Sequence, residues 1–511
     1  MRRHLLLATS LLLPSFGHAA DWYEGSSKHF IVYSEGSPEQ VTAATESLER
    51  FDQALRTITG TPDKPLSPNL RVTVFMLDDV DAIRKLSGNH SIAGYYQARA
   101  SGPMAFAPRK TSGELSARTI LQHEYAHSFM FASWPSAVFA KWFVEGFAEF
   151  VGTASYRTDG TLTFGAPPEY RKYGINQTNQ IPASQLLMLN PGKLDDLQTH
   201  ILYGRGWLLT HYALLGGHGK ELADYITLSN EGKTAEAGRS FGNPNDLDNK
   251  LNRYISGKTL PLLRLSRDQV AVGKVTLRKL GAGEIATLPA RLRSSSGVTS
   301  ETAPEVAELA RRLAAPYPTD AAAQNELAEA EFDAKNYAAA EAAADRALAA
   351  DPKSIHALLY KGMAQMEAAK AAGDTNPERW KAIRGHFLKA NKLDTDYPQP
   401  LVLFYESFAA AKQAPTANAR NGLLGAYVLA PFDTGLRVTA GKVLLEMNDA
   451  KAARVAFEPV AYSPHAPADN MALKVLTALD EKGTEGALAV LAEGEAKAKK
   501  AAEEAEKKKK G

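Results

Sequence analysis

"RTILQHEYAHSFMFASWPSAVFAKWFVEGFAEFVG" runs from Arg118 to Gly152. It places two histidines four apart, His123 and His127, ahead of two glutamates four apart, Glu145 and Glu149, in a largely apolar surround. Residues four apart on a helix share a face, so the two imidazoles can reach one metal ion. Glu124 then points to the neighbouring flank, where it can touch a water on that metal without ligating it. A carboxylate set among Phe143, Val144 and Phe147 is costly to bury alone, so Glu145 calls for a cation. Two imidazoles and one carboxylate make up the three protein ligands of a catalytic zinc, whose fourth position stays open to water. The reading takes His123, His127 and Glu145 as metal ligands, Zn2+ as cofactor and Glu124 as general base. Glu149, one turn beyond Glu145, is the acceptor expected to hold the ring N–H of a ligand histidine and fix its tautomer.

Outward from this stretch the pattern is mixed. Strands are expected at Phe30–Tyr33 and Leu70–Leu77, and a hairpin or edge strand in "GYYQARASGPMAFAP". Val41, Ala44, Leu48, Phe51 and Leu55 share a helical face. Ser116 is the expected cap of the His123 helix, and a third helix over "LYGRGWLLTHYALLGG" should stop at Gly216 and Gly217. "KVTLRKL" and "EIATLPARLR" read as two strands joined around Gly281 and Gly283.

HEYAH (123–127) and WFVEGFAEF (142–150) together resemble the gluzincins, the zinc peptidases related to thermolysin and aminopeptidase N. The closest overall likeness is to the peptidase-MA-like group, over about residues 21–260. The resemblance implies a zincin-like α+β domain, His123, His127 and Glu145 as zinc ligands, Glu124 as general base, and an acid at Glu149. It also assigns oxyanion stabilisation to Tyr203, with Arg205 standing where the aminopeptidases carry a lysine and His211 as a weaker candidate for the tyrosine's duty. One departure is the lack of a G-A-M-E-N segment, which leaves exopeptidase action in doubt; "GPMAF" (102–106) has no acid. An edge strand there could still pair with an extended peptide.

From about residue 302 the composition turns Ala-rich. Pro318, Pro352, Pro398, Pro431 and Pro464 recur at spacings of 34, 46, 33 and 33. Leu327, Ala328, Phe332, Tyr337, Ala340, Ala344, Ala347 and Pro352 match a tetratricopeptide-like pattern. Such units stack and present a concave groove.

The expected fold is therefore an α+β zincin-like catalytic domain followed by an all-α tetratricopeptide-like solenoid. The divisions are a signal peptide (1–19), the zincin-like domain (20–260), a β-hairpin or linker (261–300), the helical repeats (301–480) and a charged low-complexity tail (481–511). Arg2 and Arg3, the apolar run Leu5–Leu13 and small residues at Gly17 and Ala19 support a cleaved signal and a periplasmic or secreted product. The 511 residues hold no cysteine, and 59 Lys plus Arg nearly cancel 57 Asp plus Glu, so no global field points to nucleic acid or membrane. The expected function is a zinc-dependent metallopeptidase acting on a peptide or protein substrate, with repeats that bind protein or peptide and no membrane span after cleavage. The alternative is a secreted scaffold whose zincin domain is inactive or structural. A third reading keeps the zinc hydrolase but gives it a non-peptide amide or ester.

Overall fold

The computed structural model describes residues 21–510 apart from 65, 91, 111–115, 190, 258, 464–465 and 468. The expected signal peptide lies outside the described residues, as does Pro464 of the proline series.

The N-terminal region is α/β. Strands β1 (Trp22–Ser26), β2 (Phe30–Glu35), β3 (Val72–Leu77), β4 (Tyr95–Gln97) and β5 (Met104–Pro108) alternate with helices α1 (Pro38–Thr59) and α2 (Val80–Ser87). Helices α3 (Ala117–Ser133) and α4 (Lys141–Gly152) follow, then β6 (Ser155–Tyr156), β7 (Leu162–Phe164), α5 (Lys172–Ile175) and α6 (Ala183–Leu186). Next come α7 (Asp196–Leu215), α8 (Gly219–Asn230), α9 (Thr234–Ala237), α10 (Pro244–Ile255), β8 (Leu263–Leu265), β9 (Thr276–Lys279) and α11 (Ala282–Ser296).

The main sheet has the order β4-β5-β3-β2-β1-β9, with β2, β3 and β5 parallel and the other pairs antiparallel. Its side chains alternate between two cores, as strand geometry requires. Phe30, Val32, Val74, Ala105 and Ala107 face α1 and α3, whereas Tyr33, Phe75, Leu77 and Phe106 face the opposite side. That second face is covered by α2 and α11.

Two expectations are corrected here. "EIATLPARLR" is the helix α11, not a strand, because Ile285, Leu288 and Leu292 at i, i+3 and i+7 form one apolar stripe. Glu284 caps the helix start by accepting the Gly281 N–H at 3.3 Å. Residues 261–300 are therefore no separate hairpin. β9 pairs with β1, and β8 joins β6 and β7 in a small antiparallel sheet, so both strands belong to the N-terminal region.

The C-terminal region is a run of helices: α12 (Ala303–Ala314), α13 (Ala321–Asp333), α14 (Tyr337–Ala350), α15 (Ile355–Ala371), α16 (Pro377–Leu393), α17 (Pro398–Ala410), α18 (Ala417–Leu429), α19 (Thr434–Glu446), α20 (Ala450–Ala461) and α21 (Met471–Lys510, broken at Gly483). Each packs on the next, consistent with a solenoid. Ala310, Ala323, Ala328, Ala343, Ala344 and Ala347 are buried between α12, α13 and α14, where small side chains let the helices approach closely. The 46-residue proline gap is taken up by α15 and α16, each 17 residues long. Among the described residues, no helix is long and apolar enough to cross a membrane.

Candidate metal centre

Three helices converge on the histidine pair. The Ser116 hydroxyl accepts the Thr119 N–H at 3.0 Å and starts α3, as its position ahead of the apolar run predicts. α4 is almost wholly buried and crosses α7 at two glycines. A Cβ on Gly146 would sit 2.2 Å from Gly206 O, and one on Gly206 would sit 2.5 Å from Trp142 O, so only glycine permits this approach. The contact brings Tyr203, less than one turn before Gly206, toward Glu145.

His123 Nε2 and His127 Nε2 are 3.2 Å apart, and each is 3.5 Å from Glu145 Oε2. A tetrahedral ion with ligand bonds of about 2.0–2.2 Å holds its ligand atoms about 3.3–3.6 Å apart. The two 3.5 Å separations fit that figure, and the 3.2 Å one falls 0.1 Å short of it. Two imidazole nitrogens this close, turned to one carboxylate oxygen, are stable only with a proton or a cation between them. The three side chains thus form a group able to hold a metal ion.

The electrostatics agree. Burial would push the His123 imidazole down, but the Glu145 hydrogen bond and the charges of Glu149, Glu145 and Glu124 hold it up at about 9. Burial opposes ionisation of Glu145, yet the His127 charge and hydrogen bonds from both histidines keep it well below the usual carboxylate range. Glu124 is half-buried on the adjoining flank of α3, and its charge bears on both His123 and Tyr203. The Tyr203 ring lies parallel to that of His123, at 6° and 6.1 Å between centroids. Burial first, then Glu145, pushes its hydroxyl above the ordinary phenol range.

Glu149 is fully buried, but its partner differs from the expected one. Oε1 lies 3.8 Å from His123 Nδ1, beyond hydrogen-bond reach, and accepts Arg171 Nε–H at 2.8 Å instead. The Tyr170 hydroxyl donates to Oε2 at 2.7 Å. Arg171 also lies over the Tyr203 ring at 4.6 Å and meets His200 Nδ1 at 3.1 Å. Tyr170 and Arg171 are thus site neighbours that motif reading missed. They sit 21 and 22 positions beyond Glu149 across a strand pair and a loop, where no helical or strand period connects them.

His211 and Arg205, both on α7, lie away from the cluster. His211 is buried against Phe150 and Trp207, its Nδ1 is 2.9 Å from the Tyr254 hydroxyl, and burial lowers its pKa. It shares α7 with Tyr203 but is turned toward α10, which removes it as an oxyanion donor. Arg205 is fully buried and paired with Asp248 of α10, so it is a packing ion pair and does not face the site.

A second triad, His29, Glu49 and Asp52, also gathers ligand-type atoms within 4.8 Å of one another. It connects to α3 through Tyr125, which lies between the two motif histidines and donates to Asp52 Oδ1 at 2.6 Å.

No family model and no curated protein matches the chain. One solved structure similar to part of it is Pseudomonas aeruginosa pilF, at 16% identity and a TM-score of 0.32, covering 41% of this chain and 88% of that one.

Proposed function

We propose that the chain is an exported zinc-dependent metallopeptidase of the gluzincin type, with tetratricopeptide-like helices behind the hydrolytic region. The observation that supports it is the convergence of His123, His127 and Glu145 at or near tetrahedral-edge separations, with Glu124 beside them. Zinc held there would act as a Lewis acid and lower the pKa of a water to about 7. Glu124, on the adjoining flank of α3, would serve as the base that receives a proton from water and hands it to the leaving amine. The Tyr203 hydroxyl, kept protonated by burial and by Glu145, donates to the oxygen of the scissile carbonyl as negative charge develops on it. The apolar walls contributed by α3, α4 and α7 exclude bulk water and strengthen each of these interactions. Export to the periplasm rests on the leader-like residues 1–19.

The test is cleavage of a mixed peptide library by the purified chain, with and without a chelator. Chelator-sensitive cleavage is expected. Glu124→Gln should keep its zinc while hydrolysis falls by about 10²–10⁴, the usual contribution of a positioned base. Undiminished turnover in that variant would overturn the assignment. Chelator-insensitive cleavage would refute the zinc mechanism, and no peptide cleavage with zinc bound would favour the scaffold or a non-peptide substrate.

A further inference from the structure

Stacked helix pairs present an inner groove suited to extended peptides. Here a short piece of the N-terminal region lies against the helices. The Tyr95 hydroxyl meets Ser296 Oγ at 2.6 Å, and Gln97 Nε2 donates to Ser296 O at 2.8 Å, both at the end of α11. Arg99 donates to Ser295 O at 3.4 Å, and its charge bears on Glu329 and Asp333 of α13. Ala100 is 4% exposed among Leu423, Ala426, Ala430 and Leu436 of α18, α19 and their joining loop, and its N–H donates to Asp433 Oδ2 at 2.8 Å. The Tyr397 hydroxyl, at the start of α17, donates to Ser101 O at 2.9 Å. Residues 95–101 thus touch the end of α11, Tyr397 ahead of α17 and the α18–α19 junction, while the Arg99 charge bears on α13. A stretch of at most about 25 Å therefore bridges helix ends, at Ser295 and Asp433, that are more than 130 residues apart in sequence.

The same segment also contacts the helix that bears the two histidines. β4 is the edge strand of the main sheet, and the Tyr96 hydroxyl meets Ser128 Oγ of α3 at 2.6 Å, one position beyond His127. We propose that the helical region is an internal receptor for residues 95–101, and that this contact fixes edge strand β4 against the helix bearing the histidines. The helices thereby act on the chain itself. A foreign extended peptide gains these contacts only by displacing residues 95–101. The proposal goes beyond the peptidase reading and stands or falls without any turnover measurement.

The experiment is hydrogen–deuterium exchange on the full chain, comparing wild type with Ala100→Trp and Tyr397→Phe. Wild type should protect the Ala100 amide. Ala100→Trp, which overfills the pocket between α18 and α19, should speed exchange across 98–101 by tenfold or more, while α13–α20 exchange as in wild type. Tyr397→Phe, which deletes one hydroxyl, should raise exchange there about threefold to tenfold, as one lost hydrogen bond predicts. Free-peptide exchange at Ala100 in wild type overturns the proposal, as does unchanged exchange in a folded Ala100→Trp chain. If Ala100→Trp unfolds the helices, Tyr397→Phe decides: a local rise supports the receptor and no rise refutes it.

Discussion

His123, His127 and Glu145 on one side, and His29, Glu49 and Asp52 on the other, are two clusters of imidazole and carboxylate, yet they have different surroundings. Asp52 is gripped by Arg56 through Nε at 2.6 Å and Nη2 at 3.0 Å, and by the Tyr125 hydroxyl. Glu49 accepts from Ser27 Oγ and the His29 N–H, and its Oε1 lies 2.5 Å from His29 Nδ1; His29 Nε2 faces Asp63 at 3.1 Å. That triad carries its own cation and its donors are already engaged, so it is a structural network. The first triad is bordered instead by the carboxylates of Glu124 and Glu149, and the neighbouring cation, Arg171, is engaged by Glu149 and not by the triad. Ligand-type residues within reach of one another do not by themselves make a metal site; their surroundings separate the two triads.

The contrast can be strained by substitution, beginning with the largest effect. Tyr203→Phe should lower kcat about 10²–10³, as loss of an oxyanion donor does, with KM and zinc content nearly unchanged. Steady-state kinetics beside elemental analysis check both halves. Glu149→Gln should weaken zinc affinity about 10–100-fold, since it removes the carboxylate whose charge reaches His123 while Arg171 remains nearby. Competition with a chromophoric chelator measures that.

The structural triad should respond in stability alone. His29→Gln should cost about 1–2 kcal/mol with zinc content unchanged. Burial pushes the His29 imidazole down, but the Glu49 hydrogen bond and the Asp52 charge raise it above its ordinary 6.5. A raised folded pKa gives stability that is complete below pH 6.5 and is lost as pH rises through the raised value. The Tm gap between wild type and His29→Gln should therefore narrow from pH 6 toward alkaline pH. A gap that widens would reverse the assignment of charge.

Much of this was legible because the signals were local. HEYAH and EGFAEF carry their geometry in four-residue spacings, and Ser116 and Gly216 stand where α3 and α7 begin and end. The alternation in β3 was equally plain. Proline hid α11: Pro289 inside "EIATLPARLR" obscured the i, i+3, i+7 stripe that covers the sheet. Partners brought in from a distance were not legible at all. Arg171 reaches Glu149 only because Gly204 lets α5 lie against α7, where a Cβ would meet Ile175 N at 2.8 Å. Asp52 meets Tyr125 across 73 residues, and the segment at Ala100 meets Asp433 across 333. Such pairings are settled by tertiary packing, which residue spacing does not encode.

The most direct measurement is zinc stoichiometry by elemental analysis on the purified, zinc-equilibrated chain and its His127→Ala and His29→Ala variants. One zinc per chain is predicted for wild type, none for His127→Ala and one for His29→Ala. A full complement in His127→Ala, or its loss in His29→Ala, would contradict the account.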